Sequence, residues 1–263
     1  MPYKTDYHVH TVFSDGRADA KEFVAAGIAA GFDEIGFSEH LNLLFLNQIW
    51  CMDQERVPEY ISYIRSLGKQ EEAIRIRLGL EVDYFPGEEN MIFDFINPLD
   101  LDFIIGSVHY MGDSTVDAGP EFYRDKNYDD IFKSYFELEF QAIESGLFDI
   151  IAHCDLVRIF GHRPTFDPAY LYRELARKLA KHDVAFEINT NGKNKPLDDF
   201  YPDVRYLHFF KNENVPVCVN SDAHLPSRVG QYFDNAYRIL KNAGYKEMCI
   251  FKKRERIMLP ADF

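Results

Sequence analysis

Seven times along this 263-residue chain a short apolar run gives way to a helical stretch. "DYHVH" leads into "ADAKEFVAAGIAAG", and "DEIGFSEH" into a loop and then "RVPEYISYIRSLGKQEEA". "IRIRLGLEVDYF" precedes "GEENMIFDFINPL", and "LDFIIGSVHY" precedes a long loop and "YDDIFKSYFELEFQAIESG". "FDIIAHCDLV" is followed by "DPAYLYRELARKLAKH", "VAFEINTN" by "FYPDVRYLHFFKNEN", and "VPVCVNSDAH" by "GQYFDNAYRILKNAG". Strands that alternate with helices form parallel βαβ units, because the helix carries the chain back to the starting edge. Near-continuous apolar strands fit a sheet covered by helices. Seven units predict an α/β fold with a closed or nearly closed barrel. A doubly wound open sheet is the alternative that periodicity leaves open. The trailing "EMCIFKKRERIML" is expected to add a strand at the end.

The unusual polar residues fall at the ends of the apolar runs. His8 and His10 close the first, His40 the second, and His109 the fourth. Glu81 lies near the end of the third, His153 in the fifth, and Asp222 and His224 close the seventh. Six of the nine histidines thus sit at strand ends, and the C-terminal rim is where β/α barrels build active sites. Side chains at i and i+2 share a face of a strand, so His8 and His10 point together into the barrel mouth, well placed to share a metal ion. Six separate neutral core histidines, each needing its own partner, would be costly.

The donor set is nitrogen and oxygen with no required thiolate, which suits Zn²⁺, Mn²⁺ or Fe²⁺. His8, His10, Asp15, His40, Glu81, His109, His153, Asp222 and His224 are too many for one ion. They are enough for two or three ions spaced roughly 3.5–4 Å apart. Asp15, in "SDG", also reads as an ordinary turn residue. Glu39 points to the opposite face from His40 and is expected to be exposed or helix-facing. Asp155 is expected either to orient an imidazole or to act as a cap. Cys154 reads as packing. His162, His182 and His208 read as structural or solvated, with His162 following a candidate phosphate-binding segment.

A net charge of −14 argues against a nucleic-acid backbone as partner, but leaves room for a small phosphorylated substrate beside bound cations. Arg158, Lys193, Lys195, Arg17 and Arg228 follow strand ends and are the candidates to hold a phosphate dianion, Arg158 first. Cys51, Cys154, Cys218 and Cys249 form no CxxC pair, as expected of free thiols in a reducing compartment. No leader and no membrane span is visible, so a cytoplasmic setting is expected.

Taken together, "DYHVHTVFSDG", "GFSEH", "GLEVDY", "IIGSVHY", "IAHCDLV" and "NSDAH" resemble the PHP (polymerase and histidinol phosphatase) superfamily of metal-dependent phosphoesterases. "DLDFIIGSVHY", "YFELEFQAIESGLFDIIAHCDLVRIFG" and "FEINTNG" before "YP" are similar to its histidinol-phosphatase branch. The resemblance implies a single domain over residues 1–263 with a distorted seven-stranded (β/α)7 TIM-like barrel. It also implies a two- or three-metal centre that hydrolyses L-histidinol phosphate through metal-activated water. It assigns His8, His10, Glu81 and Asp222 to one metal, Glu81, His109 and His153 to a second, and Asp15, His40 and His224 to a third. The branch often has Lys where Arg158 stands, and "NTSGLRK" where this chain has "NTNGKNK". Both changes keep positive charge nearby, with Lys193 and Lys195 the candidates to stand in for the lost Arg. Arg158 is expected to neutralise the dianion, Asp222 or His224 to protonate the leaving group, and "HLNLLFLNQIW" to line a leaving-group pocket or form a lid. A phosphoesterase acting on a nucleotide or sugar phosphate is the alternative. An amidohydrolase is disfavoured by the lack of a strand-end Lys, and a non-catalytic module by the complete ligand set.

Overall fold

Local chemistry starts several of the helices. Asp19 caps α1 (Ala20–Ala29), accepting from Lys21 N while Glu22 returns a bond to the cap backbone, so two otherwise unpaired amides are satisfied. Asn127 caps α4 (Tyr128–Glu144) through Asp129 N. The remaining helices of the computed structural model, which describes residues 3–261, are α2 (Val57–Gln70), α3 (Glu89–Ile96), α5 (Ala169–His182), α6 (Leu207–Asn212) and α7 (Phe233–Asn242).

The strands between them are β1 (Thr5–Asp6), β2 (Glu34–Leu41), β3 (Arg75–Asp83), β4 (Phe103–Ser107), β7 (Ile150–Ile151), β8 (Ala185–Asn189) and β9 (Val217–Asn220). The short strands β5 (Tyr110–Met111) and β6 (Ser114–Thr115) form a separate hairpin in the loop after β4. The seven main strands pair in parallel in the order β1-β2-β3-β4-β7-β8-β9. A bridge between Val9 and Ala223 joins the first strand's continuation to the last. His10 N donates to Ala223 O and Ala223 N to His8 O, both at 3.0 Å. The expected barrel is therefore present, and the open-sheet alternative is not.

Outward residues such as Ile35, Phe37, Leu78, Leu80, Phe186 and Val219 pack under the helices. Inward residues at the N-terminal ends form a second cluster of Tyr7, Phe103, Ile105, Ile150, Ala152, Ala185 and Cys218. Gly79 makes room for it: a Cβ there would lie 2.4 Å from the Phe103 ring. Full burial of a side chain such as Phe103 contributes about 1.5–3 kcal/mol.

The C-terminal segment departs from expectation. It forms an antiparallel hairpin, β10 (Glu247–Lys252) with β11 (Glu255–Pro260), outside the seven-stranded sheet. Closure between the first and last strands leaves that segment no free edge to join. Its Cys249, Ile250 and Phe251 instead seal the barrel floor, with the Phe251 ring 6.3 Å from Tyr7.

A buried carboxylate ties the floor together. Glu34 accepts a two-pronged bond from Arg77 at 2.6 and 2.8 Å, and further bonds from Tyr7 and Tyr3 hydroxyls at 2.6 and 2.8 Å. Burial works against its charge, but these donors outweigh it and hold Glu34 below its ordinary value.

Candidate metal centre

Above the apolar floor the inward positions turn polar, and the strand-end residues meet. Glu81 on β3 is fully buried at the centre. His40 Nδ1 lies 2.7 Å from its carboxylate, His8 Nε2 and His153 Nε2 each 3.1 Å, His10 Nε2 3.6 Å and His109 Nε2 3.7 Å. Asp222 Oδ1 is 3.5 Å from His10 Nε2 and 3.9 Å from His8 Nε2. Asp15 Oδ1 is 3.1 Å from His224 Nε2 and 3.6 Å from His40 Nε2. All nine predicted metal-ligating side chains thus converge. Asp222 takes a left-handed backbone conformation (φ 50°) just beyond β9, which Asp tolerates better than most residues.

Three sets bring their ligand atoms within 4.8 Å of one another: His10, Asp15, His40 and His224; His8, His10 and Glu81; and His40, Glu81 and His109. His8 Nε2, both ring nitrogens of His10, Asp15 Oδ1 and Glu81 Oε2 are buried without a hydrogen-bond partner. Unpaired buried polar atoms cost roughly 1–3 kcal/mol each. A divalent cation satisfies several at once, and an all-nitrogen-and-oxygen set is what zinc, manganese or iron takes. The residues present fit such a group.

Electrostatics agree. Burial pushes the His10 imidazole down to about 3, helped by His40 and His224, whose rings stack 4.1 and 4.4 Å away. The neutral ring's unprotonated nitrogen is free for a metal. Burial disfavours charge on His8, His40 and His109, yet the neighbouring carboxylates prevail. Glu187 and Glu81 raise His8, Glu81 raises His40, and Asp83 raises His109 to about 10. Burial likewise opposes charge on Glu81, but His8, His40 and His153 hold it well below the carboxylate range. A cation therefore competes with protons for these nitrogens.

Sequence reasoning missed the residues that hold the ligands. Glu187 on β8 is fully buried and accepts from His8 Nδ1 at 3.0 Å, His153 N at 3.0 Å, Asn189 Nδ2 at 2.7 Å and Asn220 Nδ2 at 2.8 Å. Its bond to Nδ1 fixes the His8 tautomer and aims Nε2 at Glu81. Asp83, two residues past Glu81 on the same face, does the same for His109 at 2.6 Å and is itself held by Asn42. The i, i+2 rule that found His8 and His10 would also have found Asp83. Replacing Glu187 with Gln is expected to weaken metal affinity about 10–100-fold. Chelator competition measures this, and unchanged affinity would leave Glu187 a strand tie only.

Some expectations need correction. Glu39 does face away from His40, but it is fully buried rather than exposed. It accepts from Thr11 N and Oγ1 and from Ser14 Oγ, and so pins the loop that carries Asp15.

Arg158 does not reach the metal cavity. It is 7% exposed, and its guanidinium binds Asp155 at 2.6 Å and Asp199 at 3.2 Å, with Asp203 at 3.8 Å. Asp155 accordingly orients no imidazole; it stands at the N-cap of the short turn Leu156–Arg158, but its side chain caps no amide there. It accepts from Arg158, Tyr172 OH and Asp203 N. Lys193 is tied to Asp198. Arg17 is exposed and Arg228 half-buried, and neither lines the cavity. Of the five predicted phosphate contacts, Lys195 lines the cavity of about 230 Å³ that holds His40, His109, His153, Asp222 and His224. His162 packs, tilted, against Tyr123 and Tyr128 away from the centre, and Cys154 is buried in the core under the helices.

A barrel that closes on itself and carries this ring of histidines and carboxylates is that of a PHP-type metalloenzyme. The PHP domain family model matches residues 6–191, and the chain belongs to that family. A Deinococcus radiodurans protein named "Probable histidinol-phosphatase" is 34% identical over 262 residues, 97% of this chain and 98% of that one. The histidinol-phosphatase of Lactococcus lactis subsp. lactis is 29% identical, covering 94% of each chain. The crystal structure of Lactococcus lactis histidinol phosphate phosphatase, complexed with zinc, L-histidinol and phosphate, matches with a TM-score of 0.84. It is 28% identical and covers 97% of this chain and 98% of that one. No helix among the described residues is long and apolar enough to cross a membrane.

Proposed function

We propose that the chain is a metal-dependent phosphatase that hydrolyses L-histidinol phosphate to L-histidinol and phosphate, a step of histidine biosynthesis. The observation that carries this reading is the convergence of five imidazoles on the buried Glu81 carboxylate. The near-full-length similarity to proteins bearing the histidinol-phosphatase name supports the substrate.

In this reading His8, His10, Glu81 and Asp222 would hold one ion, Glu81, His109 and His153 a second, and Asp15, His40 and His224 a third. When bound there, two or three zinc, manganese or iron ions would supply water of lowered pKa, toward ~7, and positive charge for the phosphate. Glu187 and Asp83 keep His8 and His109 oriented. Lys195 supplies a positive charge for the phosphate from the cavity wall. Asp222 and His224, just beyond β9 with side chains 13% and 25% exposed, are positioned to pass a proton to the leaving oxygen. Arg158 acts at a distance from the cavity, by tying Asp155, Asp199 and Asp203 together. The activity belongs to one domain spanning the chain. A net charge of −14 suits a cytoplasmic small-molecule enzyme with no nucleic-acid partner.

The test is phosphate release by purified protein that has been stripped with a chelator and reloaded with zinc, manganese or iron(II). L-Histidinol phosphate is expected to turn over faster than a nucleotide monophosphate or a sugar phosphate, and only with metal. Equal rates across the three esters would overturn the substrate. No release at full metal content would overturn the chemistry.

A further inference from the structure

The nine converging side chains do not arrive in the same way. Eight stand on barrel strands or their direct continuations, whereas Asp15 comes from the turn between the first strand and α1. Its side chain is 34% exposed, more than any of the other eight. A carboxylate on a loose turn makes a poor ligand, because ordering the turn when an ion arrives costs conformational entropy and lowers affinity by that amount. A turn that is already fixed avoids the cost.

This turn is fixed, and by a residue of the neighbouring strand. Glu39 and His40 are adjacent on β2 and point to opposite faces. His40 goes inward to Glu81 and Asp15, and Glu39 goes the other way, to residues 11–14. Thr11 N donates to both Glu39 oxygens at 3.0 Å, Thr11 Oγ1 to one at 2.7 Å, and Ser14 Oγ to the other. The Thr11 hydroxyl accepts from Phe13 N at 3.2 Å, so its proton is directed to Glu39. Each carboxylate oxygen therefore meets hydroxyl and amide donors, and an amide in its place would turn one acceptor into a donor. Beyond Ser14 the chain crosses directly over His10, where a Cβ on Gly16 would lie 2.0 Å from the His10 carbonyl oxygen. Arg17 N then donates to His224 O at 2.9 Å. The turn is thus clamped from Glu39 at one end to His224 at the other, with Asp15 between, and His10, Asp15, His40 and His224 are one of the sets whose ligand atoms meet.

We infer that Glu39 is a positioning residue for the outermost ion: by holding the 11–14 turn it presents Asp15 to His10, His40 and His224, and so decides whether that set is filled. Strand β2 then supplies this set twice, directly through His40 and indirectly through Glu39. The inference rests on the metal-centre reading above and goes beyond it by naming what separates a chain that holds the outermost ion from one that holds only the ions around Glu81.

The test reads bound metal and needs no turnover. Wild type, Glu39→Gln, Asp15→Asn and the double variant are dialysed against buffered free Zn²⁺ over a range of concentrations, and zinc per chain is measured by elemental analysis. In Glu39→Gln one ion per chain is expected to require about 10–100-fold more free zinc, the effect of losing a residue that supports a ligand, while the others stay at their wild-type concentrations. Asp15→Asn is expected to displace the same ion, and the double variant to go no further than Asp15→Asn alone, because Glu39 acts through Asp15. Ser14→Ala removes one donor from the turn side without touching the buried carboxylate. It is expected to shift the same ion by up to about tenfold, and it decides the matter if Glu39→Gln does not fold. A wild-type curve in Ser14→Ala and Glu39→Gln, a shift of all ions together, or effects of Glu39→Gln and Asp15→Asn that add in full would each overturn this inference alone. Wild type that takes up no zinc overturns the metal-centre reading and this inference with it.

Discussion

Replacing Glu81 with Gln is expected to strip the protein of most of its metal and to cut phosphate release by at least about 100-fold. That is the upper end of what loss of a supporting residue produces; Glu81 is more than a support. Its two oxygens lie within 3.7 Å of five imidazoles delivered by four different segments. Glutamine keeps the shape but removes the negative charge and one acceptor oxygen, so any metal held by the carboxylate would lose that ligand. Elemental analysis of the purified variant reads the metal, and the phosphate assay reads the turnover. Full metal content with turnover within a few-fold of wild type would remove Glu81 from the centre.

The second large effect is one of stability. Arg158→Ala leaves Asp155, fully buried, without its guanidinium partner. Breaking a buried pair from one side costs about 3–5 kcal/mol. For a protein of this size that lowers Tm by roughly 6–20 °C. The Tyr172 hydroxyl and the Asp203 amide still reach Asp155, but neither carries a charge. Thermal unfolding followed by circular dichroism checks the shift. A variant with unchanged Tm and a sharply raised KM would return Arg158 to the phosphate.

The contrast between these two residues marks what the sequence discloses. Glu81 was legible because it falls at a strand end within a recurring pattern, and strand ends meet at one rim of a barrel. The face of Glu39 was legible from alternation, but alternation says nothing of depth, and the loop that covers it comes from residues 11–14. Arg158 looked like a phosphate contact because a cation stood just past a ligand strand. Its three carboxylate partners lie at 155, 199 and 203, and only folding gathers them. Glu187 stood in "AFEIN" as a lone carboxylate in an apolar strand, and its partner His8 is 179 residues away in the chain. The final hairpin was legible as strand but not as floor, because pairing capacity is set by whether the barrel has already closed.

That closure also has a temporal side. The join between Tyr7 N and Asn220 Oδ1 spans 213 residues, and His8, His10, Asp222 and His224 stand on either side of it. Contacts so distant in sequence form late, after the entropy of closing the intervening loop has been overcome. During synthesis the early imidazoles must wait for more than two hundred further residues before Asp222 and His224 exist. A full set of ions would thus mark a completed ring, because the sets that include Asp222 or His224 come together only when it closes.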